Sequence, residues 1–317
     1  MRLYFSGWQA TNRERELAVI KAGHIKHRCF SFASSYKIPG FPYYLPHVGG
    51  AIDACVENGI GIMMDSGVFG YRTHKARLQE QGKSLSKLPT DEQYVQLYVD
   101  YIKANLGKYD WYATVDFAKN AADIFKCHKA IEAMGIKPVP VFHGDDSLDY
   151  IRRYHDELGH KLIAIGTCNG VPSNSKRLRQ YLYGVFNLTA KLGMDAHGLA
   201  LTSPHQMLDW NFWSVDSSSW SRAAGYGTIF QFNESTSRMS AFHISDRTAS
   251  GNGEELKLNP KLMLRMKAAV EAEGYDFEQL RTDFVTRHIW NSDQMMRLVR
   301  VAEKKHGQSS GSWVPLV

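Results

Sequence analysis

The chain has few cysteines, and none of them forms the closely spaced pairs that bind metals or carry out disulfide exchange. Its four cysteines are scattered along 317 residues, at Cys29, Cys55, Cys127 and Cys168. We therefore expect free thiols in a reducing compartment, which predicts a cytoplasmic protein.

Several signatures of membrane, nucleotide-binding and hydrolytic proteins are also missing. No apolar run reaches the roughly 18 residues of a membrane-spanning helix. Gly59 and Gly61 lack the third glycine of a dinucleotide site, and no GxSxG, P-loop or HExxH motif occurs. His24 and His27 lie close together, but a surface helix or loop explains them better than a metal site does. We expect no membrane partner, no metal and no cofactor.

The charge balance is modestly basic, with a net charge of +6 and a pI of about 9.0. Such an excess is compatible with a polyanionic partner such as nucleic acid. An ordinary basic enzyme has the same balance, so the charge leaves both interpretations open.

Short apolar runs alternate with longer amphipathic segments along most of the chain. Eight runs separated by helices are typical of an α/β fold, a parallel (β/α)8 TIM barrel, and the chain length suits one. The predicted strands are 3–5, 29–33, 60–64, 111–115, 139–142, 162–165, 198–201 and 212–215. The predicted helices among them are 91–105, 121–134, 148–158 and 175–192.

The last quarter of the chain departs from this alternation and predicts a C-terminal helical appendage. A late hairpin is predicted at 228–232 and 239–244, followed by a connector rich in Gly, Asn and Ser at 247–254. The predicted organisation is a barrel at 1–250, a helical appendage at 255–306 and a flexible tail at 307–317. The appendage helices are predicted at 260–273, 276–286 and 291–306.

Polar residues and glycines follow the predicted strands with unusual regularity. Asp65 ends Gly-Ile-Met-Met-Asp, and Asp216 ends Phe-Trp-Ser-Val-Asp, where a buried strand meets a loop. A lone Asp at such a position is more often a helix N-cap than a catalyst. Parallel strands of a barrel end at one face, however, so these residues are expected to meet there. The other strand-end residues are Asp116, His143, Gly144, Gly166, His197 and Gly198.

A basic, polar insertion at 72–89 follows the strand that ends at Asp65. Loops at the carboxyl ends of barrel strands carry substrate contacts, although a solvated surface loop has the same composition. The candidate nucleic-acid contacts in the insertion are Lys75, Arg77, Lys83 and Lys87.

Two motifs carry a family resemblance. Residues 64–69, Met-Asp-Ser-Gly-Val-Phe, are similar to an Asp-Ser-Gly-Gly-aromatic motif. Ser214-Val215-Asp216, with Arg222 six residues later, is similar to a nucleophilic Asp and its downstream Arg. On these residues the chain resembles the tRNA-guanine transglycosylase superfamily of (β/α)8 barrels. It is most similar to the DpdA-type DNA 7-deazaguanine transglycosylases of phages and bacteria. The resemblance covers about 59–222, with a weaker echo at 288–299.

The resemblance implies a role for each residue that matches the family pattern. Asp216 would be the nucleophile and Asp65 the general acid and base. Asp116 would bind the polar edge of the base, Phe69 would stack on it, and His197 would lie where a second stacking residue is expected. The remaining implied contacts are Ser66, His143-Gly144 in place of Gln-Gly, Gly166, Gly198 and, for phosphate or ribose, Arg222.

Three departures from the family pattern bear on the substrate. No cysteine follows Cys168, so the zinc site of the tRNA enzymes cannot be built from thiolates. Val68 replaces the second glycine of the first motif, and Ala223-Ala224-Gly225 replaces the basic residues after Arg222. These losses favour a DNA substrate over tRNA.

The resemblance therefore predicts an enzyme that exchanges guanine in DNA for a free 7-deazaguanine base, such as 7-cyano-7-deazaguanine. It would act in the host cytoplasm if a phage encodes it. Three alternatives remain open: a zinc-free tRNA-guanine transglycosylase, a retaining glycoside hydrolase, and an inactive nucleic-acid-binding barrel. The presence of both Asp65 and Asp216 argues against the last of these.

Overall fold

The computed structural model describes residues 1–7, 13–117, 120–144, 147–166, 175–245 and 259–307. Within these residues, one sheet contains eight strands in the order β4-β3-β2-β1-β8-β7-β6-β5, and all neighbours are parallel. The strands are β1 (Arg2–Phe5), β2 (His27–Ser31), β3 (Gly61–Asp65), β4 (Trp111–Tyr112), β5 (Val141–Phe142), β6 (Leu162–Ile165), β7 (Asp195–Gly198) and β8 (Ser214–Ser217).

The two outer strands of this order, β4 and β5, also approach each other. The Val139 amide donates to the carbonyl oxygen of Tyr112 at 2.8 Å, and the Val139 carbonyl accepts from the Thr114 amide at 2.9 Å. The sheet is thus strongly curled, and the α/β fold is compatible with a TIM-like barrel.

Helices alternate with most of the strands. Before β8 they are α1 (Arg13–Ala22), α2 (Phe32–Ser35), α3 (Val48–Glu57), α4 (Val68–Glu80), α5 (Asp91–Ala104), α6 (Ala121–Ala133), α7 (Asp149–Asp156), α8 (Lys176–Leu192) and α9 (Pro204–Asp209). After β8 come α10 (Ser219–Gly225), the hairpin β9 (Thr228–Asn233) and β10 (Arg238–His243), and then α11 (Pro260–Ala272), α12 (Phe277–Thr282) and α13 (Phe284–His306).

Local sequence explains where several helices begin. Thr90 and Gln93 form a reciprocal capping box at the start of α5. Asn120 and Ser175 accept hydrogen bonds from backbone amides at the starts of α6 and α8. These side chains satisfy amides that the first turn of a helix leaves without partners.

The strands separate two apolar layers. Alternate residues face the inside of the curl, where Tyr4, Met63, Trp111 and Ala164 belong to one buried cluster. Their neighbours face outward into the larger core between sheet and helices, as Phe5 and Met64 do. The strand register follows this alternation, since a shift of one residue would exchange the two faces.

The insertion at 72–89 differs from the predicted loop. Helix α4 runs through its first half as far as Glu80, and Val68 and Tyr71 anchor the helix in the core. The Tyr71 hydroxyl also donates to the Pro89 carbonyl at 2.5 Å, which fixes the far end of the insertion. The prediction of a loop was wrong because these two anchors outweigh a polar composition.

The seventh strand was predicted three residues too late, at 198–201. The structure places β7 at Asp195–Gly198, and Ala200 has a positive φ of 56° that is incompatible with a continuing strand. His197 and Gly198 are therefore the last two residues of β7, which agrees with the expectation that they lie at a strand end.

The hairpin is confirmed, whereas the predicted helices 276–286 and 291–306 have different bounds. Asp283 caps a new helix by accepting hydrogen bonds from the amides of Val285 and Thr286, so α12 ends before it and α13 begins after it. A single long α13 thus replaces the third predicted helix.

A separate helical appendage is not confirmed. Helices α11 and α12 share a small core with the hairpin, to which Ile229, Val270 and Leu280 belong. Helix α13 contributes Trp290 to that core and Leu298 to the main core. This helix joins the two cores.

Some predictions fall outside the described residues: the connector 247–254, most of the tail 307–317, and Cys168. The other three cysteines are free thiols, as predicted. In the part of the chain that the structure describes, no helix combines the length and apolarity needed to cross a membrane.

Candidate functional site

Inward-facing polar residues gather at the carboxyl ends of the strands, which we call the carboxyl face. Ser6, Ser31 and Asp65 lie two positions after Tyr4, Cys29 and Met63 of the inner cluster, so the alternation of a strand points them inward. Asp216 follows the inward-facing Ser214 in the same way. Sequence reasoning found the two aspartates but missed the serines, although their two-residue offset from buried positions was a readable signal.

Asp65 is the most strongly perturbed carboxyl at this face. Burial and, to a smaller extent, the negative charges of Asp216 and Asp116 raise its pKa to about 6, against the hydrogen bonds from the Gly67 amide and Ser31 that lower it. The Gly67 amide donates to Oδ2 of Asp65 at 2.9 Å. A carboxyl with this pKa holds and releases a proton near neutral pH, as a general acid and base must.

Asp216, on β8, is held by donors from two other elements. The Ala200 amide donates to its Oδ1 at 2.9 Å, and the Ser6 hydroxyl donates to its Oδ2 at 3.3 Å. The side chain keeps 15% of its surface exposed. The carboxylate is therefore oriented and accessible, as a nucleophile must be.

Strand pairing brings both carboxylates to one site, because Asp216 pairs with Tyr4 of β1, Asp65 pairs with Ser31 of β2, and β1 pairs with β2. Cys29 is a buried residue of β2, and burial raises the pKa of its thiol, with the charges of Asp216 and Asp65 adding to the effect. Strands β1 and β2 lie between β8 and β3 in the sheet. The curled sheet thus brings together two aspartates that are 151 positions apart in the sequence, at 65 and 216.

Asp116 and His143 form a pair at the same face. His143 Nε2 lies 2.7 Å from Oδ2 of Asp116, and His143 retains 38% of its side-chain surface. The charge of Asp116 contributes to the raised pKa of Asp65, which places the pair beside the catalytic candidates. The two side chains offer a carboxylate and an imidazole for the edge of a planar ligand.

Two glycines of the predicted site have clear packing roles. A Cβ at Gly166 would lie 2.7 Å from Nδ1 of His143, and the Gly166 amide donates to the Phe142 carbonyl at 2.8 Å. A Cβ at Gly198 would lie 2.8 Å from the ring of Phe212. Gly166 therefore makes room for the His143 ring, and Gly198 makes room for a core phenylalanine. Gly144 lies in the turn directly after His143.

His197 is fully buried, so it has no exposed face on which a base could stack. Its ring lies against Tyr4 and Trp111, and its Nδ1 is 2.7 Å from the Ser214 hydroxyl. Its Nε2 is 3.5 Å from Oδ1 of Asp216, too far for a hydrogen bond. Burial lowers the pKa of this imidazole, against the raising effect of Asp216. The neutral imidazole thus bonds to Ser214, on the strand that carries Asp216.

The segment after Asp65 turns sharply and presents an aromatic ring. Gly67 has a φ of +74°, and a Cβ there would lie 2.7 Å from that of Ala33. Ser66 is buried, and its carbonyl accepts a hydrogen bond from the Tyr94 hydroxyl at 2.7 Å. Phe69, in the first turn of α4, is 84% exposed. The turn thus fixes Asp65 while it leaves Phe69 open for stacking.

The basic candidates differ in their availability. Lys75 is paired with Asp91 at 2.9 Å. Arg77, Lys83, Lys87 and Arg222 are exposed, and none has an ion pair among the described residues. Arg222 lies in the last turn of α10, which follows β8 and Asp216 directly. These four cations, and not Lys75, are open to phosphate.

A second titratable cluster, absent from the sequence predictions, lies outside the sheet. His128 and Glu132 are one turn apart on α6, and His160 precedes β6. His128 Nε2 and Glu132 Oε1 are each 2.9 Å from Nε2 of His160, and 3.5 Å from each other. Burial lowers the pKa of His160 to about 4. Burial opposes ionisation of Glu132, but the imidazoles and Lys137 outweigh it and lower that pKa. The His-x-x-x-Glu spacing was the available sequence signal.

The comparisons with known proteins assign no relationship: no protein-family model matches the chain, and no curated protein matches it significantly. The functional conclusion therefore depends on the residues of the site.

Proposed function

We propose that this protein is a base-exchanging transglycosylase that replaces guanine in DNA with a 7-deazaguanine base. The observation that carries the proposal is the pair of carboxyls at the carboxyl face. Asp216 is oriented by two donors, while burial and two neighbouring carboxylates raise the pKa of Asp65 to about 6. The two aspartates thus have different environments, as a nucleophile and a proton carrier require.

Base exchange with retention at C1′ needs two displacements. A carboxylate oxygen of Asp216 attacks C1′, and the bond between C1′ and the base breaks as protonated Asp65 donates its proton to the leaving guanine. Ionised Asp65 then takes a proton from the incoming base, whose nitrogen attacks C1′ and releases Asp216. The same logic governs retaining glycosidases, whose carboxyls stand roughly 5–5.5 Å apart.

The surroundings of the pair suit a flipped-out base. Phe69 offers an open ring for stacking, and the Asp116–His143 pair offers a polar edge. Extruding a base costs a few kcal/mol, which such contacts offset. Arg222, Arg77, Lys83 and Lys87 supply cations for the phosphates on either side of the base. The preference for DNA over tRNA comes from the missing thiolate zinc site.

Label transfer tests the polymer. The protein is incubated with labelled 7-cyano-7-deazaguanine or guanine, together with duplex DNA, single-stranded DNA or tRNA, and each polymer is counted after removal of the free base. We expect label in DNA and none in tRNA. Label in tRNA alone would contradict the DNA assignment while leaving the chemistry intact. Label in neither, together with release of sugar from an aryl glycoside, would favour a glycoside hydrolase.

Trapping the covalent intermediate tests the mechanism. DNA is mixed with protein, quenched by denaturation and analysed by peptide mass spectrometry. We expect an adduct on the peptide that contains Asp216, and none in an Asp216→Ala variant. An adduct that persists in this variant would exclude Asp216 as the nucleophile.

A further inference from the structure

The cluster of His128, Glu132 and His160 has the donor set of a metal site. Two imidazole nitrogens and one carboxylate oxygen converge from helix α6 and from the segment before β6. His128 is fully buried, and His160 is 5% exposed. His160 lies at the amino end of β6, the opposite end of that strand from the carboxyl face.

The contacts within the cluster are unfavourable without a cation. One ring N–H can lie between the two Nε2 atoms, which are 2.9 Å apart. Oε1 of Glu132 is equally close to Nε2 of His160, yet it is buried without a hydrogen-bond partner. Because Nε2 of His160 carries at most one hydrogen, at most one of these two short contacts is a well-aligned hydrogen bond while Glu132 is ionised. Such an arrangement costs free energy unless a positive charge lies between the atoms.

We propose that His128, Glu132 and His160 bind one divalent transition-metal ion, with Zn²⁺ as the preferred ion. Ligands at about 2.0–2.1 Å from a tetrahedral zinc stand roughly 3.3 Å apart. The three separations here are 2.9, 2.9 and 3.5 Å, so small side-chain rotations suffice to admit the ion. Two imidazoles and a carboxylate suit zinc, and the fourth position is left for water.

The surroundings already orient the ligands. Nδ1 of His128 lies 3.1 Å from the Thr114 hydroxyl, which leaves Nε2 for the metal. The Tyr154 ring stands edge-on to both imidazoles, and the His160 amide donates to the Tyr154 carbonyl at 3.0 Å. Glu132 keeps 19% of its side-chain surface exposed, which gives the ion a path from solvent. A bound metal would fasten α6 to the entry of β6.

Metal uptake by the whole protein tests this site. The protein is stripped with a chelator, dialysed, and given Co²⁺ alone and then Zn²⁺ alone. We expect the visible bands of four-coordinate Co²⁺, their loss on addition of Zn²⁺, and about one zinc per chain by elemental analysis. A hundredfold excess of Zn²⁺ over its dissociation constant should raise Tm by on the order of 4 °C.

Three variants and a matched control locate the site. His160→Asn and Glu132→Gln each remove one ligand, and Thr114→Val removes only the partner of a ligand. We expect the first two to weaken zinc binding at least about 100-fold, and Thr114→Val to weaken it about 10- to 100-fold. The control is His155→Asn. His155 lies five residues before His160 and pairs with Asp156, so this variant should bind zinc as tightly as the wild type does.

Folding of each variant is checked by circular dichroism. If a variant does not fold, the cobalt spectrum of the wild type alone shows whether the protein binds the metal. A stripped, folded wild type that takes up neither ion at micromolar concentration would overturn the proposal. Ligand variants that bind zinc as tightly as the wild type would also overturn it.

Discussion

The carboxyl face of the sheet and the cluster at the amino end of β6 both place buried imidazole beside carboxylate. Carboxylates are in excess at the carboxyl face, whereas imidazoles are in excess in the cluster. At the carboxyl face, Asp65, Asp116 and Asp216 crowd together, and the pKa of Asp65 rises to about 6. At the other end, one carboxylate faces two imidazoles, and the pKa of Glu132 falls. Excess negative charge favours taking up a proton, whereas excess lone pairs favour a cation. The surrounding charges, rather than residue type, set the chemistry of each cluster.

The largest effect should come from removing Asp216, the proposed nucleophile of the carboxyl face. Asp216→Asn keeps an oxygen to accept the Ala200 amide but cannot form the glycosyl ester, so base exchange should fall at least about 10³-fold. Loss of its negative charge should also lower the pKa of Asp65, which carbon NMR of the side-chain carboxyl measures. A pKa of Asp65 that does not move would break the comparison, because it would show that the two charges are not coupled.

The second largest effect is expected at Asp65, where one substitution should lower activity and raise stability. Asp65→Asn should reduce base exchange by about 10²–10⁴-fold, since it removes the proposed general acid and base. It should also raise the free energy of unfolding at pH 7 by about 1–3 kcal/mol.

The sign of this stability effect follows from the direction of the pKa shift. The folded-state pKa of Asp65 is raised from 3.8 to about 6, so the folded protein holds the proton more tightly than the unfolded chain. Wild type thus loses stability as the pH rises across that interval, and Asn does not titrate. Urea unfolding at several pH values should show the difference vanish below pH 3.8. Asp100→Asn, on the exposed face of α5, replaces a surface carboxylate by an amide and is the control for the change of residue type.

The third prediction concerns the stability of the turn at Gly67, which holds Asp65 in place. Gly67→Ala should destabilise the protein by about 2–4 kcal/mol, because φ is +74° and the new Cβ would lie 2.7 Å from that of Ala33. Gly70→Ala, three residues later in α4, meets no atom within 4 Å and should stabilise by about 0.5–1 kcal/mol. Urea unfolding measures the free energy of unfolding of both variants. Equal changes in the two variants would show that the turn at Gly67 tolerates a side chain as well as the helix does.

The smallest expected change in stability is at Phe69. Because Phe69 is 84% exposed, Phe69→Ala should change the free energy of unfolding by less than about 0.5 kcal/mol. Loss of stacking should nevertheless weaken single-stranded DNA binding by about 1–3 kcal/mol in a fluorescence titration. Tyr183→Ala removes a ring of 64% exposure on α8 and should leave DNA binding unchanged.

Periodic patterns predicted much of the fold and part of the site. The alternation of strands and helices was readable because each element buries one face, and Asp65 and Asp216 stood out where buried strands end. Helix α4 was missed because two anchors, Val68 and Tyr71, decide its existence within a polar segment. The burial of His197 and the proximity of His128 to His160 could not be predicted from the sequence, because both depend on which strands and helices become neighbours in space.

The place of α13 beside the hairpin has a consequence for solubility. Strand β9 pairs with β10 along one edge, and its other edge would present free backbone groups to any second chain. Asn291 and Gln294 accept from the amides of Phe230 and Phe232, and the Trp290 indole donates to the Phe230 carbonyl. Side chains of one helix thus take the place of a missing strand. Helix α13 therefore protects β9 from edge-to-edge aggregation, and a chain that ended before Phe284 would lose this protection.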